Sequence, residues 1–270
     1  MLEQTPCGCR DTPLSSYRPD TTVWRVSAPS VDNDPSVYLV ADVAVARSAR
    51  ERGVHRLSLP EIADAAVSHG VRTVQLRAKG LPEDEAEELV RALAPATEGR
   101  ALLLLNDFTA AARRLRRAGV PLDGVHIGQT DGSPLEVREL LGPDAVIGLS
   151  AEAPEHFEAI ARLPKGTVDA VGIGAVRATT SKADAPAPIG FEGLARAAAR
   201  AAGLGLDAVA IGGLAAGDAA AVLEAGAQGM AVVSAICAAE DPGAASAALR
   251  RDWDAALSSA AARRPAPPRG

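Results

Sequence analysis

Short apolar runs alternate with amphipathic stretches along most of the chain. The runs at 37–41, 73–76, 101–105, 124–127, 146–149, 170–173, 208–211 and 230–233 predict strands. The segments 59–67, 82–94, 108–118, 134–141, 154–162, 191–202, 215–225 and 242–257 carry helical spacing. Several of these open on helix-starting signals, such as Pro60, or Pro82 followed by Glu83 and Asp84. A strand followed by a helix, repeated through the chain, demands right-handed parallel crossovers, and about eight such units close a sheet into a barrel. The expected fold is therefore α/β, a (β/α)8 TIM barrel forming a single domain over 36–260. An open doubly wound sheet shares the alternation, but no G-x-G-x-x-G opens a helix after the first strand.

The two ends break the pattern. Residues 1–35 are rich in Pro, Ser, Thr and Asp without an apolar period, and read as a disordered leader or one loosely docked through Trp24. Residues 261–270 are too proline-rich to pack as a helix and read as a disordered tail. An Arg-rich stretch over 46–56 reads as an extension of the first loop, a mobile cover for the barrel mouth.

Composition narrows the functional classes. At 270 residues the chain is close to the roughly 250 of one such barrel. It is 47% hydrophobic but only 3% aromatic, which suits alanine-lined helices around aliphatic strands. The net charge of −6, with Lys and Arg scattered among acids, leaves no basic face for nucleic acid. No run approaches the ~18 unbroken apolar residues of a membrane span, and no charged-then-apolar signal opens the chain, so the expected location is the cytoplasm. Cys7 and Cys9 have no second Cys or His pair beside them, which argues against zinc, and Cys237 reads as a small buried side chain. A homo-oligomer is compatible with all of this.

In a barrel, ligands meet the residues that follow each strand. Gln75, Arg77 and Lys79 alternate with Leu76 and Ala78, so the strand period of two sends all three to one face. Two cations and an amide facing inward are costly without an anionic partner. An anionic ligand resolves this most simply, and a solvated strand end with internal ion pairs is the alternative. Asn106-Asp107 and Gly128-Gln129-Thr130-Asp131 end the next two strands, and two carboxylates beside cations suit Mg²⁺ with substrate phosphate oxygens. Asp107 could instead cap the helix that follows it. His126 lies within its strand and reads as a core or supporting histidine rather than a general base. Ser150 aims a hydroxyl into the same mouth. After the sixth strand, Thr179, Ser181 and Lys182 offer hydroxyls and a mobile cation, the inventory for a phosphorylated ligand, although a solvated loop uses the same residues. Gly212-Gly213 and Ser234 complete a phosphate cradle, with backbone N–H groups and the positive ends of the following helices.

These residues, in this order, resemble the thiamine phosphate synthase family. The resemblance runs from about Tyr38 to Ala239. It is carried by Tyr38-Leu39-Val40-Ala41-Asp42, Val74-Gln75-Leu76-Arg77-Ala78-Lys79, Asn106-Asp107, Gly124-Val125-His126-Ile127-Gly128-Gln129-Thr130-Asp131, Gly148-Leu149-Ser150, Thr179-Thr180-Ser181-Lys182, Ile211-Gly212-Gly213 and Val232-Val233-Ser234-Ala235-Ile236. It implies transfer of a hydroxymethylpyrimidine group from its diphosphate to the ring nitrogen of a thiazole phosphate, with release of pyrophosphate. Gln75, Arg77, Lys79, Asn106, Ser150 and Lys182 match positions that hold hydroxymethylpyrimidine diphosphate, and Arg77, Lys79, Lys182 and Ser150 among them are the expected catalytic groups. Asp107 and Asp131 match the Mg²⁺ ligands. Thr179, Ser181, Gly213, Val233 and Ser234 match the thiazole phosphate site. The family's loop Gly-Pro-x-Phe-Pro-Thr-x-Thr-Lys stands here as Gly174-Ala175-Val176-Arg177-Ala178-Thr179-Thr180-Ser181-Lys182, without two prolines and an aromatic. Two other readings share the fold. A thiazole tautomerase relative typically lacks the aspartates and diphosphate cations that stand here, and a non-catalytic phosphometabolite-binding regulator would bind without turnover.

Overall fold

The structure, a computed structural model, describes residues 34–179, 181 and 187–263. Cys7, Cys9, Trp24 and Lys182 lie outside the described residues. The strands are β1 (Val37–Asp42), β2 (Thr73–Arg77), β3 (Leu102–Asn106), β4 (Gly124–Ile127), β5 (Val146–Ser150), β6 (Ala170–Ile173), β7 (Asp207–Ile211) and β8 (Gly229–Val232). The helices are α1 (Val43–Glu51), α2 (Leu59–Ser68), α3 (Glu83–Thr97), α4 (Thr109–Arg117), α5 (Pro134–Leu141), α6 (Pro154–Ala161), α7 (Gly190–Leu204), α8 (Ala219–Glu224), α9 (Ser234–Cys237) and α10 (Pro242–Arg263). All neighbouring strands pair in parallel, and β8 returns to β1 through Val37↔Met230, closing the expected (β/α)8 barrel.

Strand alternation divides the apolar residues between two cores. Outward side chains such as Leu39, Leu103, Leu105, Val125 and Ile147 pack beneath the helices, where Ala63, Ala66, Ala111, Ala112 and Ala201 let helix and sheet approach closely. Inward residues Tyr38, Val40, Leu104, Val209 and Ala231 form a smaller axial cluster. The barrel floor is tied by one device used three times, in which a side chain just before one strand accepts the amide of the second residue of its neighbour. Asp123 takes Leu103 N, Asp169 takes Ile147 N and Gln228 takes Ala208 N, each at 2.7 Å. These are amides that the ladder itself leaves unpaired.

Three departures from the sequence reading follow from local chemistry. The stretch at 46–56 is no loop extension: α1 occupies most of it, because Asp42 Oδ1 caps Val45 N at 2.9 Å and Ala46 and Ala49 supply a buried face while the arginines project outward. At the N-terminal edge, Asp34 pairs with Arg250 of α10 at 3.0 Å, so the chain is fastened to the barrel two residues before the boundary at 36. At the other end α10 continues through Arg263, past the expected end at 260, held by buried Leu249, Trp253 and Ala256. Among the described residues no helix is long and apolar enough to cross a membrane.

Candidate active site

Strands β1, β2, β3 and β5 end on Asp42, Arg77, Asn106 and Ser150, so these polar groups are still held by the ladder when they reach the C-terminal mouth. Register does the positioning. Asp42 pairs across from Arg77, Asn106 from His126 and Ser150 from Gly172. A cavity of about 390 Å³ opens there, and Gln75, Arg77, Lys79, Asn106, Asp107, Asp131, Ser150, Thr179, Ser181 and Val233 all line it. Gly213 and Ser234 do not. Gly213 is exposed beneath Arg177 and Ala178, and Ser234 is exposed as the first residue of α9. The helix after β7 starts only at Ala219, so its positive end does not directly follow Gly213 as expected.

Arg77 realises the internal ion pair that the sequence left open as an alternative. Its guanidinium pairs with Asp42, whose side chain is 3% exposed and whose other oxygen caps α1. A guanidinium has five N–H donors, so this pair orients the fork without exhausting it. In the sequence Asp42 is only the residue after the 37–41 run and the end of the Tyr38–Asp42 motif; its role follows from facing Arg77 in register. Asp42→Ala is expected to lower the unfolding free energy by about 2–3 kcal/mol, through loss of the helix cap and a stranded Arg77, measurable by urea titration.

Deeper in the barrel, buried Gln75 donates from Nε2 to the Tyr38 hydroxyl at 2.7 Å. Burial pushes the Tyr38 phenol far above its ordinary range, so it stays neutral and keeps its own proton to donate. On the facing strands, His126 Nε2 lies 3.1 Å from Ser150 Oγ, and Gln129 Nε2 donates to the Ser150 carbonyl at 2.5 Å. The His126 ring occupies space that two glycines leave. A Cβ at Gly148 would sit 2.5 Å from its Nδ1, and one at Gly172 3.0 Å from its Cε1. His126 is thus a supporting residue for Ser150, as the strand position suggested.

Asp107 and Asp131 converge from the ends of β3 and β4. Asp107 adopts φ 67°, a left-handed conformation that Asp and Asn tolerate better than other side-chain-bearing residues. It does not cap α4, whose N-cap is Phe108 with no side-chain bond. Asp131 is steadied by Gly128 N, which donates to its Oδ2 at 2.8 Å. Burial, then the charge of and hydrogen bond with Asp131, raise Asp107 to about 6, against the lowering effect of Arg77 and Asn106. Two carboxylates forced together in this way are poised for a cation. Among the described residues no group of three or more His, Cys, Asp or Glu is arranged to hold a metal, so Asp107 and Asp131 are the pair that could contribute carboxylate ligands.

The loop after β6 brings the remaining groups. Thr179 Oγ1 accepts from Ser181 N at 3.2 Å, and both residues line the cavity wall. Lys182, expected beside them, lies outside the described residues.

A closed parallel barrel whose mouth gathers cations, paired carboxylates and hydroxyl loops belongs to the class of barrel enzymes that act on phosphorylated small molecules. The family described as thiamine monophosphate synthase matches residues 43–236. The chain is similar to the thiamine-phosphate synthase of Azorhizobium caulinodans, at 44% identity over 212 residues, covering 77% of this chain and 90% of the relative. It is likewise similar to that of Laribacter hongkongensis, at 41% identity, covering 78% and 92%. Among solved structures, thiamine phosphate pyrophosphorylase from Pyrococcus furiosus superposes with a TM-score of 0.67 at 27% identity, covering 83% of this chain and 98% of that one. The chain belongs to the thiamine monophosphate synthase family and is a transferase of thiamine biosynthesis.

Proposed function

We propose that the chain transfers a hydroxymethylpyrimidine group from its diphosphate to thiazole phosphate, yielding thiamine phosphate and pyrophosphate, with Mg²⁺ held by Asp107 and Asp131. The observation that carries this reading is the carboxylate pair set beside the Asp42-oriented Arg77 and beside Lys79 in one cavity. A site built to bind a single phosphate has no need of two converging acids; a diphosphate with its metal does.

In this reading Arg77, Lys79 and Asn106 hold the diphosphate from β2 and β3; Lys182, outside the described residues, is assigned to it by the resemblance alone. Gln75 and Ser150 orient the pyrimidine end, Ser150 being steadied by His126 and Gln129. Thr179, Ser181 and Val233 receive the thiazole phosphate on the opposite side of the mouth, and Gly213 and Ser234, expected with them, stand at its rim. Mg²⁺, when bound, neutralises charge that grows on the departing pyrophosphate. Arg77 and Lys79 stabilise the same charge, Arg77 with a fork already oriented by Asp42, and Lys182 is assigned to the same task by the resemblance alone. The pyrimidine amino group can stabilise the methylene cation left behind, so the thiazole nitrogen attacks without a protein nucleophile or general base. His126, committed to Ser150, is not called on for proton abstraction.

The direct test is pyrophosphate release from the purified chain with hydroxymethylpyrimidine diphosphate, thiazole phosphate and Mg²⁺. Release is expected only when all three are present, with thiamine phosphate formed in equal amount. Binding of both substrates without release would remove the transfer reading.

A further inference from the structure

The loop that carries Thr179 and Ser181 leaves β6 through backbone bonds to β7 and its loop: Val176 N to Ile211 O at 2.9 Å and Arg177 N to Gly212 O at 3.0 Å. Its base is closed from the other side by Ile189 N to Ala175 O at 2.9 Å and Gly190 N to Val176 O at 3.0 Å. The backbone of Arg177 thus ties the loop to the β7 side just before Thr179 and Ser181, and its side chain adds a second tie at the same point.

That side chain joins three segments. Nη1 donates to Asp218 Oδ2 at 2.6 Å, and the guanidinium lies 5.1 Å from the centre of the Phe191 ring in the first turn of α7. Asp218 Oδ2 also accepts from Ala215 N at 2.9 Å, which stiffens the loop between β7 and α8. The Arg177 side chain is 48% exposed but that of Asp218 only 11%, so the acid depends on this partner more than an exposed pair would. Gly213 fits beneath the join: at its φ of 67° a Cβ would lie 2.7 Å from Arg177 Cβ and 2.8 Å from Ala178 O. Its role is thus to let Arg177 lie down on the β7 loop, which explains why it stands at the rim rather than in the cavity.

We propose that Arg177 is a positioning residue for the acceptor half of the site: by clamping the loop after β6 to Asp218 and Phe191, it sets Thr179 and Ser181 where the thiazole phosphate binds. The proposal rests on the thiazole phosphate assignment above. It also accounts for how this loop is held without the prolines and aromatic that the family's pattern carries, since charge pairing and stacking replace ring rigidity.

Steady-state kinetics with each substrate varied in turn tests it, on Arg177→Gln, Arg177→Lys and Asp218→Asn, together with hydrogen exchange of the segment 175–181. Arg177→Gln and Asp218→Asn are expected to raise the KM for thiazole phosphate about tenfold, with that for the pyrimidine diphosphate within about twofold. Arg177→Lys should recover part of the loss, since an ammonium still reaches Asp218 but does not stack as a planar group. General loss of folded enzyme would instead lower the apparent kcat with both KM values unchanged. An unchanged thiazole phosphate KM in Arg177→Gln overturns the proposal. Should the unsubstituted chain make no thiamine phosphate, the synthase reading falls separately and exchange alone decides the clamp: faster exchange in Arg177→Gln sustains it and unaltered exchange overturns it.

Discussion

Asp107→Asn and Asp131→Asn should each lower Mg²⁺-dependent turnover by about a hundredfold or more, the range reached when one stabiliser of developing charge is removed. Asn is the informative replacement at position 107. It keeps the φ of 67° that Ala would meet with a backbone penalty of about 1 kcal/mol. The fold should not suffer in the metal-free protein. With Asp107 raised to about 6 by burial and by Asp131, its ionised form is a cost above that pH, relieved as protons bind on acidification. Removing the charge therefore leaves metal-free stability unchanged or slightly higher above pH 6, and lower activity with a normal melting curve is the expected pair of results. The same shift gives a pH dependence with a definite sign. If Asp107 holds Mg²⁺ as proposed, the ion has to displace its proton, so the Mg²⁺ concentration for half-maximal rate should rise as pH falls below about 6, by up to tenfold per unit. In Asp107→Asn that dependence should vanish. Wild-type turnover in either variant would remove the carboxylates from the mechanism.

Most of the barrel was legible because strand and helix periods differ and each repeated without interruption. The inward direction of Gln75, Arg77 and Lys79 followed from the period of two alone. What the sequence could not convey was contact across strands. The Asp42–Arg77 and His126–Ser150 pairings depend on parallel register, which brings together residues tens of positions apart with no local signature. The stretch at 46–56 was misjudged for a related reason: its arginines obscured the buried pair Ala46 and Ala49, and its cap is the strand's own last residue. Alanine carries a helix face here with little hydropathic contrast, so the helical period is masked by the charged residues between. The cradle was half legible. Thr179, Ser181 and Val233 reached the cavity, while Gly213 proved to matter for how closely two loops approach.

Arg77 is expected to be the other residue whose loss is severe, and the design of the variant decides what is learned. Replacing it with Gln would strand Asp42, buried at 2% exposure, and mix a stability loss of a few kcal/mol with any catalytic one. Arg77→Lys keeps a cation near Asp42 but gives up the planar fork, in which one arm holds the aspartate and the others would meet the diphosphate in the proposed site. A fall in kcat of about thirtyfold, with a smaller change in the KM for pyrimidine diphosphate, is expected, because the fork's value lies in charge that grows as pyrophosphate departs. A rise in KM at constant kcat would instead mean that Arg77 only helps the ground-state diphosphate to bind. Wild-type values for both would mean that pairing with Asp42 is its whole role. Measuring the variant beside Asp42→Asn separates the cases: if Asp42 acts by orienting the fork, its loss should move kcat in the same direction as Arg77→Lys, and the double variant should cost less than the two effects combined.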